Sequence, residues 1–397
     1  MAKIEFKDLQ FQEKADQIEV TFQRLFTFKL KKEDLNKIDA NKVEKNAIIF
    51  KNINENKANK KLNNLLQKGF SHLRNKLTNK STIYIHQNSG IPLIGNISFG
   101  LVDRNTNIIE VKPITSCNLE CIYCSVDQDK REIDFVIEEE YLSNEFKNLV
   151  EFKDSNNIEA HIASQGEPLL YEPLTDLIRS ISKLPQVSTI SIDTNGVLLT
   201  KAKVDQLVSA GLTRFNFSIN ALDSKITKEI AGKSYNIEKI KEIAEYIAKK
   251  TNIIITPVLL KGINEEEMPK IIEFAKKIGA DLGIQNFLPY RFGKNPVKSI
   301  DFDKFFDKLR GWEKKYNLKL IKTESDFNIT KTKPLPKPFK KGDIIKAQIA
   351  CQGRFKGERI AISDNRSISI PHYHKEAPQI KLRITRSKHN IFIGEPV

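Results

Sequence analysis

Short apolar runs alternate with longer amphipathic stretches through the middle of the chain. Six runs are rich in β-branched residues or alternate apolar with polar positions, as strands do; they are 107–113, 158–164, 187–193, 213–219, 252–258 and 280–288. Apolar residues recur at helical spacing between them, in 138–150, 173–183, 200–209, 236–250 and 265–278. Ser224 and Asn236 are candidate N-caps. Alternating strands and helices predict βαβ units and a mostly parallel sheet, and six such units suit a partial (β/α)6 barrel.

The two ends of the chain have different patterns. Residues 302–316 predict one more helix, and the three alternate prolines within 330–343 favour an extended connector. Beyond them, short alternating strands broken by turn residues predict a small all-β barrel. The N-terminal flank mixes predicted strands with a basic helical stretch; these are 17–30, 47–53 and 82–87, and 57–77. We therefore predict an α/β protein in four parts: an α+β extension (1–95), a core domain (96–325), a linker (326–342) and an OB-like β-barrel (343–397).

Length and hydropathy limit the class of protein. A chain of 397 residues can form two or three domains with a substantial core. No apolar run approaches the roughly 20 residues that span a bilayer, and the N-terminal stretch lacks the apolar core of a signal peptide. We expect a cytoplasmic protein with no membrane partner.

The net charge of +15 is carried by the two flanks. Residues 340–397 hold 12 Lys and Arg against 5 Asp and Glu, residues 1–100 hold 18 against 10, and residues 101–339 are neutral. A lysine-rich surface that keeps the protein soluble is one explanation. The other is that the flanks bind a polyanion while the neutral centre does chemistry.

Three of the four cysteines lie within eight positions, as Cys117, Cys121 and Cys124. They directly follow the first core strand, and ligands of parallel α/β folds sit at that end of the sheet. Structural zinc wants four Cys or His ligands, and a fourth here would have to come from Cys351 or His161. Three thiolates on one loop fit an iron–sulfur cubane with one open iron better, although zinc and simple burial remain alternatives.

The spacing C-x3-C-x2-C, with Tyr123 before the last cysteine, resembles the signature of the radical S-adenosylmethionine (radical SAM) family. Five further segments resemble that family in the same order along the chain: 164–170 (SQGEPLL), 193–200 (DTNGVLLT), 215–220 (FNFSIN) and the last two strand regions, 256–267 and 284–291. Gln165 stands where a glycine is usual, and Asn220 stands at a position that is usually acidic.

This resemblance implies that the three cysteines hold a [4Fe–4S] cluster whose open iron binds the amine and carboxylate of SAM. An electron donor such as ferredoxin or flavodoxin would reduce the cluster, SAM would be cleaved to a 5′-deoxyadenosyl radical, and that radical would remove a hydrogen atom from the substrate. The residues that the resemblance places around SAM are Tyr123, Gln165, Gly166, Glu167, Pro168, Thr194, Asn195, Ser218, Asn220, Pro257 and Gln285.

The C-terminal segment resembles a TRAM domain, a small RNA-binding barrel. The resemblance rests on KGDIIKAQI, on the turn GRFKGERIA and on KLRITRSKHNIFIGEPV. It implies phosphate contacts from basic residues and stacking from rings. The candidate RNA-binding residues are Lys340, Lys341, Arg354, Lys356, Arg359, Arg366, Tyr373, Lys381, Arg383 and Arg386, with Phe355, His372 and His374 as further candidates for stacking. The pair His372 and His374 also admits a metal site, although a third ligand is not evident.

These features together predict a radical SAM enzyme that modifies RNA, with transfer RNA favoured over ribosomal RNA. A methylthiotransferase is disfavoured because residues 1–116 contain no cysteine for a second cluster. Cys351 is a weak catalytic candidate, and we favour inert burial for it. The alternatives are an enzyme that acts on a protein, a peptide or a small molecule, including cofactor biosynthesis, a glycyl-radical activase, and an RNA-binding module with a vestigial cluster.

Overall fold

The computed structural model describes residues 1–375 and 377–397. The N-terminal part is built from short antiparallel strands and one long helix. Its elements are β1 (Ala2–Glu5), β2 (Leu9–Lys14), β3 (Gln17–Phe22), β4 (Phe26–Lys31), α1 (Lys32–Asn36), β5 (Asn41–Glu44), β6 (Ala47–Phe50), α2 (Glu55–Phe70), β7 (Arg74–Asn75) and β8 (Ser81–Ile85).

Two N-terminal predictions are corrected by the structure. The strand predicted at 17–30 is a hairpin, because Gln23 and Arg24 take positive φ angles and turn the chain between β3 and β4. The predicted basic helix begins earlier, where the Asn54 side chain accepts a hydrogen bond from the Lys57 amide at 2.9 Å. That helix ends at Phe70 rather than at 77, because β7 pairs with β4.

The central part is the predicted succession of strands and helices. Its elements are β9 (Gly100–Asp103), β10 (Ile108–Lys112), β11 (Ile133–Ile137), α3 (Glu139–Lys153), β12 (Ile158–Ile162), α4 (Leu174–Ser182), β13 (Val187–Thr194), α5 (Lys201–Ser209), β14 (Arg214–Phe217), α6 (Ser224–Ala231), α7 (Ile237–Ala248), β15 (Asn252–Ile255), β16 (Val258–Leu259), α8 (Glu267–Ile278), β17 (Asp281–Leu282), β18 (Gln285–Asn286) and α9 (Phe302–Tyr316). The sheet order is β17-β15-β14-β13-β12-β10-β9, in which β9 alone runs antiparallel to its neighbour. Six parallel strands with helices between them confirm the partial (β/α)6 barrel.

Helix capping explains where two of the central helices begin. The Asn236 side chain accepts from the Lys239 amide at 3.1 Å and caps α7, as predicted. The prediction for Ser224 is wrong: Asp223 caps α6 by accepting from the amides of Lys225 and Ile226, both at 2.9 Å, so Ser224 is the first helical residue. An aspartate one residue earlier is an equally good N-cap, so the sequence alone did not separate the two.

Strand β11 joins the N-terminal part to the central sheet. It lies only nine residues after the last clustered cysteine, yet it pairs in parallel with β8 of a sheet ordered β11-β8-β7-β4-β3-β2. All five of its residues are buried. A single contiguous apolar core therefore extends from the N-terminal sheet into the half-barrel.

The C-terminal part is a closed five-stranded barrel, which confirms the predicted all-β unit. Its strands are β19 (Ile344–Gln352), β20 (Arg359–Ser363), β21 (Arg366–Ile370), β22 (Gln379–Arg386) and β23 (Ile393–Pro396), in the order β19-β20-β21-β23-β22. The barrel has its own apolar core. It docks on the segment before β9, where the Ser367 amide donates to the Ile94 carbonyl and the Phe392 amide donates to the Gly95 carbonyl, both at 2.9 Å. In the part of the chain that the structure describes, no helix is long and apolar enough to cross a membrane.

Candidate functional site

The cysteine loop leaves β10 at the carboxyl edge of the sheet and is fixed by hydrogen bonds to the end of α6. Its inner residues Glu120 and Ile122 donate through their amides to the carbonyls of Ala231 and Ile230, each at 3.0 Å. The helix α6 therefore ends against the loop, and the three cysteines around this contact are half-buried and unpaired. These backbone hydrogen bonds fix the cysteine loop without the help of a ligand.

The thiols of this loop suit a positively charged partner. Burial, with the nearby Glu167 carboxylate as the next cause, raises the pKa of Cys117 to about 12, and burial also raises the pKa of Cys121. Such thiols would stay protonated alone, whereas bound metal holds a thiol as its thiolate. Among the described residues, no group of three His, Cys, Asp or Glu side chains converges as one ion would need; a cubane takes one thiolate for each of three irons and has no such requirement.

The loop 163–168 lies directly against the residues that precede Cys117. The Glu167 amide donates to the Ser116 carbonyl at 2.8 Å. A Cβ at Gly166 would clash with the carbonyl oxygens of Thr115 and Ser116, so only glycine allows this approach. Gln165, at the position where a glycine is usual, does not take a positive φ angle, so its side chain causes no backbone strain. The structure thus brings the predicted SAM segment beside the cysteine loop.

Glu167 ties this segment to the end of β13. Its carboxylate is 2% exposed and accepts hydrogen bonds from the Thr194 hydroxyl at 2.7 Å and from the amides of Asn195 and Leu169 at 2.9 and 3.0 Å. Burial raises the pKa of this carboxyl to about 7. These hydrogen bonds engage the Glu167 carboxylate inside the protein, where it holds the turn that follows Pro168.

Tyr123, Ser218 and Asn220 meet at the opposite wall. The Asn220 amide nitrogen donates to the Tyr123 hydroxyl at 2.9 Å, and its oxygen accepts from the Val258 amide at 2.8 Å. Asn220 therefore links the cysteine loop to the chain beyond β15, which an aspartate could not do in the same way because it lacks a donor. Tyr235, which sequence reasoning missed, adds a hydrogen bond from its hydroxyl to the Asn195 carbonyl at 3.0 Å.

The last two predicted SAM residues lie at the fifth and sixth strands. Pro257 is buried, and its carbonyl accepts from the Gln285 amide. The Gln285 side chain is exposed and lines the mouth of a cavity that continues into the half-barrel. Asn195 joins the same edge, since its side-chain Nδ2 donates to Asn118 Oδ1 at 2.8 Å. All eleven predicted SAM residues thus lie along one rim of the sheet, on the side of the cysteine loop.

The cavity inside the half-barrel measures about 600 Å³ and reaches from Tyr123 and Ser218 toward α9. Its floor carries the charged side chains of Glu159, His161, Asp193 and Arg214, with Asn216 beside them. Of these, sequence reasoning named only His161, as a possible zinc ligand. Alternate residues of a strand point to one face, and each of these positions keeps that spacing within β12, β13 or β14. The sequence did carry a signal for this floor, namely a polar residue at every second position of an otherwise apolar strand.

His161 and Asp193 form the centre of this polar floor. The imidazole Nε2 lies 3.3 Å from Asp193 Oδ2, and the other Asp193 oxygen accepts from Asn216 at 2.8 Å. Burial alone would lower the pKa of His161, but the Asp193 carboxylate outweighs it and the pKa is raised. The Asp193 side chain keeps 46% of its surface accessible, so it faces the cavity. The floor offers a carboxylate acceptor and a histidine proton carrier to whatever enters.

The candidate RNA-binding residues separate into two groups. Most of them are on the barrel surface: Lys340, Lys341, Lys356, Lys381, Arg383 and Arg386 are exposed, and Arg359 and Arg366 are partly exposed. His372 and His374 are exposed, and Phe355 is half-buried. Two predictions are wrong. Tyr373 is 8% exposed and packs in the barrel core. Arg354 is 2% exposed and bonds to Gln165, so neither side chain can reach an RNA phosphate or base.

Cys351 lies in β19, opposite Ile360, and packs against the main apolar core. Burial raises the pKa of its thiol to about 12, so it stays protonated near neutral pH and is a poor nucleophile. The contacts favour the predicted inert role.

The geometry defines a class of protein: an open α/β barrel with a loop of three cysteines at the strand ends and a cavity with a polar floor below it. Comparison with known proteins agrees. Residues 111–275 match the model of the radical SAM superfamily. The chain is 39% identical over 362 residues to the uncharacterized protein MJ0103 of Methanocaldococcus jannaschii, covering 82% of this chain and 83% of that protein. It is also 30% identical over 223 residues to a GTP 3′,8-cyclase of Campylobacter jejuni, covering 56% of this chain and 68% of that enzyme. The chain belongs to the radical SAM superfamily, whose members bind a [4Fe–4S] cluster and SAM.

Solved structures give weaker likenesses. A structure of TYW1 with a lysine–pyruvate adduct bound covers 57% of this chain and 80% of its own, with 19% sequence identity and a TM-score of 0.43. The Streptococcus suis protein SuiB bound to its precursor peptide SuiA covers 80% of this chain and 71% of its own, with 15% identity and a TM-score of 0.45.

Proposed function

We propose that this radical SAM enzyme modifies a nucleotide in RNA, with transfer RNA as the favoured substrate and ribosomal RNA second. The proposal rests on the outer face of the C-terminal barrel. On β22, Lys381 and Arg383 point outward while Leu382 and Ile384 are buried. On β19, Lys346 faces Lys381 directly across the ladder.

A like-charged pair directly across two strands weakens a sheet unless an anion lies over it. Lys340 and Lys341, at the start of the barrel, and Arg386, at the end of β22, extend the same basic surface, and Glu395 opposite Arg383 is its acidic neighbour. We call Lys340, Lys341, Lys346, Lys381, Arg383 and Arg386 the outer basic face. Cationic side chains in this density are the electrostatic footprint of a nucleic-acid site. Lys346 was not among the residues proposed from the sequence.

The cofactors belong at the rim described above. We propose that Cys117, Cys121 and Cys124 hold the cluster and that the eleven predicted residues surround SAM, because the donor set and the glycine approach at Gly166 fit both groups. When bound, the reduced cluster and SAM supply a radical that can take hydrogen from an unactivated carbon. The chain positions its loops, excludes water and offers the floor pair of His161 and Asp193 to a substrate group in the cavity.

The remaining parts follow from this proposal. We propose a core domain at 96–325, a linker at 326–342 and an RNA-binding barrel at 343–397, with 1–95 as a basic extension that adds a second RNA contact. Enzymes of this family need an electron donor; ferredoxin or flavodoxin would fill that role in the cytoplasm.

The experiment is nucleoside mass spectrometry of transfer and ribosomal RNA from cells with and without the gene. The expected result is one modified nucleoside that is absent without the gene and returns with the wild-type gene but not with Cys121→Ala. Binding of purified protein to transfer RNA should also weaken steeply as salt rises. An unchanged nucleoside profile, with RNA binding that ignores salt, would contradict the proposal.

A second candidate is an enzyme for a small molecule, a protein or a peptide. Its support is the similarity to a GTP 3′,8-cyclase over the core, together with a cavity large enough for a nucleotide. For this candidate, SAM cleavage would be stimulated by free nucleotides or a peptide extract and not by RNA.

A further inference from the structure

The loop 353–358 of the C-terminal barrel packs against the cofactor rim through Arg354 and Phe355, and Lys356 within it is exposed. The Arg354 carbonyl accepts from the Glu132 amide at 2.9 Å, and Arg131 pairs with Phe355 in an isolated β-bridge. The Phe355 ring stacks on Phe292 with centroids 4.2 Å apart and planes at 17°. The loop therefore contacts the chain that follows the cysteines and also the chain that follows the sixth strand.

Arg354 extends from this loop to Gln165. Its guanidinium donates to the Gln165 carbonyl at 2.7 Å and to the Gln165 side-chain oxygen. Arg131 reaches the same place from the cysteine side: it donates to the Thr115 carbonyl and, at 3.4 Å, to the Gln165 carbonyl. Two residues that are each 2% exposed thus hold one peptide unit of the loop 163–168 from opposite directions.

The loop 353–358 is itself rigidly held. The Glu358 carboxylate accepts from the amides of Arg354 at 2.8 Å and Phe355 at 3.2 Å, and the Gly353 amide donates to the Glu358 carbonyl at 2.7 Å. Because the loop 353–358 is anchored in this way, it can hold the Arg354 side chain in a fixed position against Gln165. Burial beside Arg131 lowers the pKa of Arg354 to about 9, so it stays charged near neutral pH.

The buried positive charge of Arg131 and Arg354 also needs an explanation. The buried Asp134 carboxylate lies 3.7 Å from Arg131 and already accepts from Asn75, Ser116 and Thr115. Arg131 Nε and Nη2 and Arg354 Nε are buried without a hydrogen-bond partner among the described residues. Two guanidiniums with spare donors are expensive to bury unless negative charge lies nearby. A bound cluster with three thiolate ligands from Cys117, Cys121 and Cys124 would supply net negative charge on that side.

We propose that Arg354, supplied by the C-terminal barrel, is a positioning residue of the SAM site: it holds Gln165, and through it the loop 163–168, against the cysteine loop. Gln165 replaces the usual glycine because its side chain gives Arg354 a second acceptor. The barrel is then a structural part of the cofactor site, whatever substrate the enzyme uses. The proposal does not depend on RNA as the substrate.

The test compares Arg354→Gln, Gln165→Gly and their double variant, with Arg310→Gln, an exposed arginine of α9, as the matched control. The first readout is hydrogen exchange of the metal-free protein. The Glu167 amide, which donates to Ser116, should exchange at least ten times faster in Arg354→Gln and in Gln165→Gly, and at the wild-type rate in Arg310→Gln. The second readout is the SAM dissociation constant after anaerobic reconstitution, which should rise at least tenfold in Arg354→Gln with the iron content retained.

The double variant separates positioning from general destabilisation. If Arg354 acts through Gln165, replacing Gln165 should matter less when Arg354 is already absent, so the two effects are not additive. If Arg354→Gln does not fold, Gln165→Gly carries the exchange test alone. Wild-type exchange at Glu167 in Gln165→Gly, or SAM affinity within twofold of wild type in folded Arg354→Gln, would overturn the proposal.

Discussion

The inner and outer sides of the C-terminal barrel use positive charge in opposite ways. On the inner side, Arg354 is buried, its guanidinium bonds to one glutamine, and its loop is fixed by Glu358. On the outer side, Lys346, Lys381 and Arg383 are exposed on a ladder where two lysines face each other. Arg354 makes defined hydrogen bonds, whereas the cations of the outer basic face act together through the positive electrostatic potential that they create. Changes on the inner side are therefore expected to alter cofactor binding. Changes on the outer side are expected to alter the salt dependence of RNA binding.

The largest effect is expected at the loop that the inner side supports. Cys124→Ser should abolish the cluster and all SAM cleavage, because a cubane with one open iron needs a thiolate on each of its other three irons. Iron analysis and 5′-deoxyadenosine formation under reducing conditions measure both. Cys351→Ala is the control, since that thiol lies in β19 and packs against the apolar core, and it should keep iron and activity. Activity in Cys124→Ser, or iron loss in Cys351→Ala, would break the distinction between the loop and the barrel.

The next effect tests the close approach that Arg354 supports. Gly166→Ala should lower the free energy of unfolding by about 1–3 kcal/mol and weaken SAM binding, because the added methyl group meets two carbonyl oxygens beside the cysteine loop. Gly311→Ala is the control: it lies in α9 with open space around it and should raise stability by about 0.5–1 kcal/mol. Denaturant unfolding of the metal-free proteins measures both changes. Equal stabilities for the two variants would show that the loop is not tightly packed.

The sequence predicted the half-barrel well because its signals are local. Helices α3 to α5 and α7 to α9 follow the 3.6-residue period, and the strands between them carry β-branched runs. The N-terminal sheet was less readable, since strands such as Arg74–Asn75 are too short to leave a pattern. The contact between Arg354 and Gln165 left no signal at all, because it joins residues 189 positions apart. A charged residue in a glycine-rich turn usually faces water, and that expectation placed Arg354 on the wrong side of the barrel.

The third prediction addresses the outer side alone. The double variant Lys381→Gln with Arg383→Gln should bind transfer RNA more weakly at every salt concentration. The slope of log affinity against log salt should become shallower by about two, one for each lost phosphate contact. Lys298→Gln with Lys314→Gln removes the same charge from exposed positions outside the barrel and should leave the slope near wild type. Filter binding at four or more salt concentrations measures the slope. Identical slopes for the two double variants would reduce the outer basic face to a general charge effect.

The smallest expected effect concerns the stability of the barrel, which the facing lysines Lys346 and Lys381 should lower. Lys346→Glu replaces a pair of facing lysines by an opposite-charge pair with Lys381, which should stabilise the barrel by about 0.2–1 kcal/mol. The same change should weaken RNA binding, because it puts a carboxylate in the middle of the outer basic face. Lys346→Gln is the control that removes the charge without adding a partner, and it should show a smaller gain in stability. Unfolding and RNA binding measured on the same preparations decide the matter. A gain in stability together with a loss in binding indicates a face kept basic for a ligand, whereas tighter RNA binding by Lys346→Glu would mean that RNA does not lie on these strands.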